Sequence, residues 1–345
     1  MDSTTQCATY STSRYMRATH VVSASMPATT DTATARRALA APLQLVVHEY
    51  TINNGGRATD VNVVLVHGTS FNRHLWTRVI DALLAGLGST MCIGRLVALD
   101  AANHGDSAVR NGTRLPLTDA RPFAACWQDD SRDILHVVRH FGLQDQPVVG
   151  IGHSFGGGAM CHAAMMDPGL FTMTILVEPI LFQMKEQTDA IADMTLRRRS
   201  QWPSKEAVLA SFSKSPAFAD WDPRQLAVYA NDGTFSPEPG NAARVLKTPK
   251  EQESATYRAR PHPGILDMIR HTRQPLHFIW GGDSKVISPA RRESIVQMLH
   301  PPSTYRVLPG AGHLIPMTQP EPLAEALADL LQNAGAREQR PRQKL

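Results

Sequence analysis

No apolar run in the chain approaches the roughly 20 residues a membrane-spanning helix needs, so no transmembrane segment is expected. Residues 1–40 also lack the continuous apolar stretch of a secretory signal. They are rich in Ser, Thr and Ala, with Arg14, Arg17, Arg36 and Arg37 set against only Asp2 and Asp31. That composition predicts a disordered N-terminal arm. Cysteine is scarce: Cys7, Cys92, Cys126 and Cys161 are scattered and none forms a CxxC pair. This argues against a disulfide framework and predicts reduced thiols. Excess charge of one sign is missing too, because 35 Lys and Arg face 31 Asp and Glu for a net +4. No nucleic-acid partner is expected from so mild a balance. The short run Arg197-Arg198-Arg199 predicts a solvated helix face, and no internal repeat is visible.

What remains is an ordinary globular composition, 42% hydrophobic and 19% charged over 345 residues. A chain of this length can bury a sizeable core without disulfides or metals. Strand-like and helix-like segments alternate along it. Val61–Val66 is a continuous β-branched run, the mark of a strand buried on both faces. Further strands are predicted at 95–99, 147–151, 173–177, 276–280 and Thr304–Leu308, with helices at 127–141, 156–166 and 321–331. Such alternation predicts a mostly parallel sheet flanked by helices. Residues 181–263 break the rhythm with many prolines, Trp202, Phe212, Phe218, Trp221, Tyr229 and Phe235, and no clear buried strand. They are predicted to form a mainly helical cap whose aromatics chiefly make its own small core. The expected organisation is an arm over 1–40, a core over 41–182 and 263–334, a cap over 183–262, and a tail over 335–345.

Gly152-His153-Ser154-Phe155-Gly156 joins the strand at 147–151 to the helix that follows. A GxSxG motif in that setting is a nucleophile elbow, a turn so sharp that small residues must flank the serine. The fold it predicts is the α/β-hydrolase fold, with Ser154 as nucleophile. His67-Gly68-Thr69 closes the strand Val61–Val66, where hydrolases of this fold build half of an oxyanion hole. The backbone N–H groups of Thr69 and Phe155 are the expected donors. Gly310-Ala311-Gly312-His313 follows the last strand, and its position marks His313 among fourteen histidines as the general base. Two carboxylates compete for the acid that orients the base. Glu178 ends the strand after the elbow; Asp283 lies in Trp280-Gly281-Gly282-Asp283-Ser284, one residue before the usual place, where Ser284 stands. Strand-end geometry favours Glu178, with Asp283 as the alternative acid.

These motifs resemble those of fungal peroxisomal α/β-hydrolases: peroxisomal lipase-like proteins, host-toxin biosynthesis hydrolases and the acyl-CoA hydrolase of mycophenolic acid biosynthesis. The residues that carry the resemblance are His67-Gly68-Thr69, the segment Asn103-His104-Gly105-Asp106-Ser107 with Asp100 before it and Asn111 after it, the 152–158 elbow, and Val177-Glu178-Pro179. The terminal Gln343-Lys344-Leu345 is similar to the Ser-Lys-Leu peroxisomal address, lacking its small first residue. The resemblance implies an acid after the strand that follows the elbow, although the acyl-CoA hydrolase has Asp there. It also implies fatty-acyl ester or acyl-CoA substrates, a peroxisomal import receptor as partner, and a peroxisomal location in place of a cytoplasmic one. Asn103, His104, Asp106 and Ser107 are expected to fix the loop beside the site, largely by turn chemistry. The expected reaction is acyl transfer to water with no cofactor and no metal. The rival readings are an epoxide-hydrolase-like enzyme, which needs an Asp nucleophile, and a non-catalytic binding module.

Overall fold

The structure is a computed structural model that describes residues 8–26, 42–88, 91–115 and 127–338. Nine strands form one sheet in the order β1-β2-β3-β5-β4-β6-β7-β11-β12. These are β1 (Ala8–Ser11), β2 (Tyr15–Ser23), β3 (Gln44–Ile52), β4 (Val61–Val66), β5 (Ile93–Leu99), β6 (Val148–His153), β7 (Phe171–Val177), β11 (Leu276–Gly281) and β12 (Thr304–Leu308). The six from β5 to β12 in that order run parallel; β1, β2 and β3 add antiparallel strands at one edge.

β4 explains why its sequence does not alternate. Val61, Val63 and Leu65 point into one apolar cluster while Val64 and Val66 point into another. Successive side chains of a strand face opposite sides, so a run apolar at every position must be covered on both. Helices α1 (Thr77–Leu87) and α12 (Pro320–Glu338) cover the first face through Val79, Ile80, Leu83, Leu323 and Leu327. Helices α3 (Trp127–His140), α4 (Phe155–Met166), α9 (Ile265–His271) and α10 (Pro289–Val296) cover the second. The short α2 (Gly105–Asn111) and α11 (Ile315–Thr318) border the strand ends. The parallel strands therefore deliver β4, β6, β7 and β12 to one rim, the edge at which α/β sheets place their sites.

The expectation of a disordered arm is corrected over residues 8–23. β2 pairs antiparallel with β3 across nine residues, from Tyr15 opposite Ile52 to Ser23 opposite Gln44. Tyr15, Ala18, Val21 and Val22 are buried, and the Tyr15 ring meets that of Tyr50 edge-on at 5.1 Å. The Ser, Thr and Arg content hid these inward residues; pairing with β3 supplies the burial that local composition does not predict. Residues 1–7, 27–41 and the tail with Gln343-Lys344-Leu345 lie outside the described residues, as do Cys7 and Cys126. Cys92 and Cys161 are free and buried.

Between β7 and β11 stand helices α5 (Lys185–Arg197), α6 (Lys205–Ser213), α7 (Pro223–Asp232) and α8 (Lys250–Arg258). They are joined by an unexpected small sheet of β8 (Gln201–Trp202), β10 (Arg244–Leu246) and β9 (Thr234–Phe235) in that order. Its strands are two or three residues long, too short for any periodicity to register in the sequence. Trp202, Phe212, Trp221 and Tyr229 pack on one another in a core of their own, met from below by Phe71, Leu75 and Met317. The arginine run divides. Arg197 and Arg199 are exposed, whereas Arg198 turns inward to pair with the buried Glu253, so a solvated face is the wrong description of Arg198. No helix among the described residues is long and apolar enough to cross a membrane.

Candidate active site

The serine turn is built by contact distance. A Cβ on Gly152 would fall 2.4 Å from the Gly156 carbonyl oxygen, and one on Gly156 would fall 2.3 Å from that of His67. No side chain fits at either place, so the elbow closes and the His67 turn packs directly against it. Ser154 takes φ 56° and ψ −118°, a conformation rare for a residue with a side chain. Its backbone is held on both sides. The Ser154 N–H donates to the Val177 carbonyl at 3.0 Å, and its own carbonyl accepts from Gly158 and Ile180 at 3.0 and 3.1 Å. Strain of this kind persists only where the surroundings over-determine it.

Three side chains from three strand ends meet at this turn. Ser154 Oγ lies 2.9 Å from His313 Nε2. On the other side of the ring, His313 Nδ1 lies 2.9 Å from Glu178 Oε2. Glu178 is fully buried and also has positive φ, at 47°. Its Oε1 accepts from the Gly281 N–H at 2.8 Å, and its Oε2 accepts from Ser284 Oγ at 2.6 Å. With one Glu178 oxygen taken by Gly281 and the other by Ser284 and the ring, the orientation of the imidazole is fixed. Asp283 is not brought to His313. It lies exposed in its turn and its N–H donates to the Ala311 carbonyl at 2.9 Å. Ser284, standing where the acid usually follows this strand, reaches instead to Glu178 on the neighbouring strand. Its one-residue offset from Asp283 was visible in the sequence, but its partner was not.

Thr69 is buried, and Phe155 is the first residue of α4. Among the described residues no protein acceptor engages the N–H of either, so both amides are free to bind an incoming oxygen. The turn that carries Thr69 is tied to β5 through His67. The His67 Nδ1–H donates to the Gly68 carbonyl at 2.8 Å, and Nε2 accepts from the Ala101 N–H at 3.1 Å. The acceptor role of Nε2 requires a neutral ring, and burial lowers the imidazole's affinity for a second proton.

The segment from Asp100 to Asn111 does fix the neighbouring loop. Asp100 accepts from the backbone N–H of Arg73 and of Asp106, at 2.7 and 2.8 Å, and pairs with the Arg73 guanidinium. Asp106 pairs with Arg73 at 2.8 Å and with Lys247 at 2.6 Å. Ser107 Oγ bridges the Asp100 carbonyl and the Val46 N–H. Asn103 Oδ1 accepts from His104 Nδ1 at 2.6 Å while its Nδ2 donates to Thr256 Oγ1 at 2.9 Å. The His104 ring stacks at 6.0 Å on Phe155, beside Ser154. This exceeds local turn chemistry, because Lys247 and Thr256 are far away in the chain.

His153, inside the elbow, has a part that its motif does not reveal. Its Nε2–H donates to the His313 carbonyl at 2.9 Å and so anchors the loop that presents the His313 ring. Burial lowers the His153 imidazole from 6.5 to about 3. Between those values the folded chain binds fewer protons at this ring than the unfolded chain does. The stability it contributes is complete above pH 6.5 and is lost as the pH falls toward 3, with a slope of about 1.4 kcal/mol per pH unit. Gln at this position keeps a donor and removes the titration. Urea midpoints measured at pH 7 and pH 5 should therefore differ less in His153→Gln than in the wild type; equal differences would refute this assignment.

Among the described residues, no three His, Cys, Asp or Glu side chains gather as a metal-binding set. The arrangement has the parts for nucleophilic acyl transfer: an oriented imidazole against a hydroxyl, with two free amides beside it.

Comparison with known proteins gives the family and the fold. Residues 63–326 match the alpha/beta hydrolase family. A type I acyl-CoA thioesterase of Penicillium roqueforti is 30% identical over 191 residues, which are 53% of this chain and 42% of that protein. A peroxisomal membrane protein of Saccharomyces cerevisiae is 32% identical over 133 residues, 37% of this chain and 33% of its own length. The chain thus aligns with less than half of these curated relatives. Among solved structures, a peroxisomal alpha-beta-hydrolase of Saccharomyces cerevisiae superposes with a TM-score of 0.77 at 22% identity, covering 93% of this chain and 90% of that one. A thioesterase domain from the curacin biosynthetic pathway superposes with a TM-score of 0.60 at 19% identity, covering 84% and 95%.

Proposed function

The chain belongs to the alpha/beta hydrolase family, and on that premise we propose that it is a serine hydrolase that splits an acyl ester or acyl-CoA thioester through an acyl-Ser154 intermediate. The observation that carries this reading is the run of contacts Glu178–His313–Ser154, at 2.9 Å and 2.9 Å, on a strained elbow. His313 Nε2 takes the Ser154 proton as Oγ attacks the carbonyl carbon. The oxyanion binds the N–H groups of Thr69 and Phe155. Collapse breaks the bond to the leaving alcohol or thiol, which takes its proton from His313. Water, deprotonated by the same ring, then releases the acid and restores Ser154. Glu178 accepts the Nδ1–H throughout and stabilises the imidazolium. The segment 183–262 acts as the cap over this site.

The thioesterase relatives favour an acyl-CoA substrate. An epoxide-hydrolase-like reaction is disfavoured because the elbow carries a hydroxyl where that chemistry needs a carboxylate. A binding module is disfavoured because all three groups stand within hydrogen-bond distance. The test is hydrolysis of p-nitrophenyl acyl esters and acyl-CoAs by wild type and Ser154→Ala, with mass spectrometry of the wild type for an acyl adduct on Ser154. Peroxisomal location is the accompanying reading, supported by the peroxisomal relatives. An internally tagged chain is expected to co-localise with a peroxisomal marker in cells; a diffuse signal would remove that reading.

A further inference from the structure

The turn that carries Thr69 is closed by a bond from the Phe71 N–H to the Gly68 carbonyl at 3.2 Å. Its third residue, Ser70, has φ 77°. A turn with a left-handed third residue ordinarily uses Gly or Asn there. Serine has no such freedom, so something must hold it.

Three side chains from the 183–262 segment do so. Ser70 Oγ donates to Glu253 Oε1 at 2.5 Å and lies 3.1 Å from the Tyr257 hydroxyl. The Ser70 carbonyl accepts from the Tyr229 hydroxyl at 3.1 Å. Glu253 and Tyr257 stand one turn apart on α8, and Tyr229 stands on α7. Glu253 is 1% exposed and is paired with Arg198, the inward member of the arginine run. A buried carboxylate without a cation would be costly, so Arg198 is what allows Glu253 to stay at this position. The next residues are fixed as well. The Phe71 ring packs on Trp221 and Tyr229 at 5.6 and 5.9 Å, and Asn72 Nδ2 donates to the Asp232 carbonyl at 3.4 Å.

We propose that Glu253, braced by Arg198, is a positioning residue that clamps Ser70 and thereby aims the Thr69 N–H at the substrate's oxyanion, so that the cap completes the oxyanion hole. The inference rests on the serine-hydrolase reading given above. Its physical basis is that an oxyanion donor works only when preorganised at the position the oxyanion will occupy. Ser70 follows Thr69 within the turn closed by the Phe71 N–H and the Gly68 carbonyl, so releasing its left-handed backbone loosens the turn that holds the donor. Small displacements of this kind are costly even without loss of a contacting group.

Ser70→Ala removes the hydroxyl and keeps the small side chain. Glu253→Ala removes the acceptor, while Glu253→Gln keeps an acceptor oxygen. For Ser70→Ala and Glu253→Ala, kcat is expected to fall by about 10- to 100-fold with KM within about twofold, since loss of a whole donor costs about 10²–10³. The inhibition constant of an acyl trifluoromethyl ketone, which forms a tetrahedral adduct, should rise in the same proportion. Glu253→Gln should recover most of both. Circular dichroism and thermal unfolding check that each variant folds; if Glu253→Ala does not, Ser70→Ala decides alone. Folded Ser70→Ala with kcat and ketone affinity within twofold of wild type overturns the clamp, as does a change confined to KM. Hydrolysis that survives in Ser154→Ala overturns the reading on which the clamp rests, and the clamp with it.

Discussion

Ser154→Ala is expected to lower kcat for an acyl ester or thioester by about 10⁵-fold, with KM little changed. Removing the nucleophile of such a constellation leaves only the binding and oxyanion contributions, a residual of about 10³–10⁴ over water. The residue is well suited to a clean experiment. Its backbone bonds to Val177, Gly158 and Ile180 do not involve Oγ, so the elbow should survive the change. Alanine retains the Cβ and meets the same φ of 56° that serine already tolerates. Steady-state assays with the variant purified apart from any wild-type enzyme read the loss. Activity within tenfold of wild type would mean that another group attacks the carbonyl, and the proposed function would fall.

The second large effect concerns the acid. Glu178→Gln should lower kcat by about 10⁴-fold, because an amide cannot hold the imidazole in the tautomer that presents an acceptor to Ser154. Here the fold adds a further penalty. Ser284 Oγ and the Gly281 N–H both donate to Glu178, so the carboxylate is the acceptor for two donors besides His313. Placing an amide NH₂ among them sets donor against donor. Asp283→Asn changes an exposed turn residue and should leave kcat within about twofold, the usual size of an effect at a surface position without buried partners. The two variants together separate the candidates. Collapse in Asp283→Asn with survival in Glu178→Gln would reverse the assignment, and equal collapse would point to a shared structural cause. Glu178→Asp is the graded case, since it keeps the charge and shortens the reach to Nδ1.

Much of this site was legible one residue type at a time. Glycines at 152 and 156 are demanded by the closeness of the turn, and nothing larger fits, so the sequence had to announce the elbow. The continuous apolar run of β4 likewise had to appear, because both of its faces are covered. His313 was marked by its place after β12. The choice between Glu178 and Asp283 was legible only in part, as a preference for Glu178 from its place at a strand end. It depends on β7 and β11 being neighbours, and on the Ser284 side chain crossing from one to the other. Strand adjacency is a property of the sheet and leaves no local trace in either segment.

The N-terminal strands and the clamp illustrate the same division. The inward residues of β2 are diluted by polar neighbours, and only pairing with β3 makes them core. Arg198 looks like its neighbours in the run until Glu253, 55 positions away, turns it inward. Sequence by itself determined the core elements, the parallel sheet and the elbow, and marked Ser154 and His313 as the candidate nucleophile and base, because each is enforced by local sterics or by burial on a repeating geometry. Tertiary structure alone decided where the buried Glu178 carboxylate is satisfied, how the arm joins the sheet and what holds Thr69 in place. Those outcomes rest on hydrogen bonds and ion pairs between residues distant in the chain, and a buried polar group has its partner assigned by the fold.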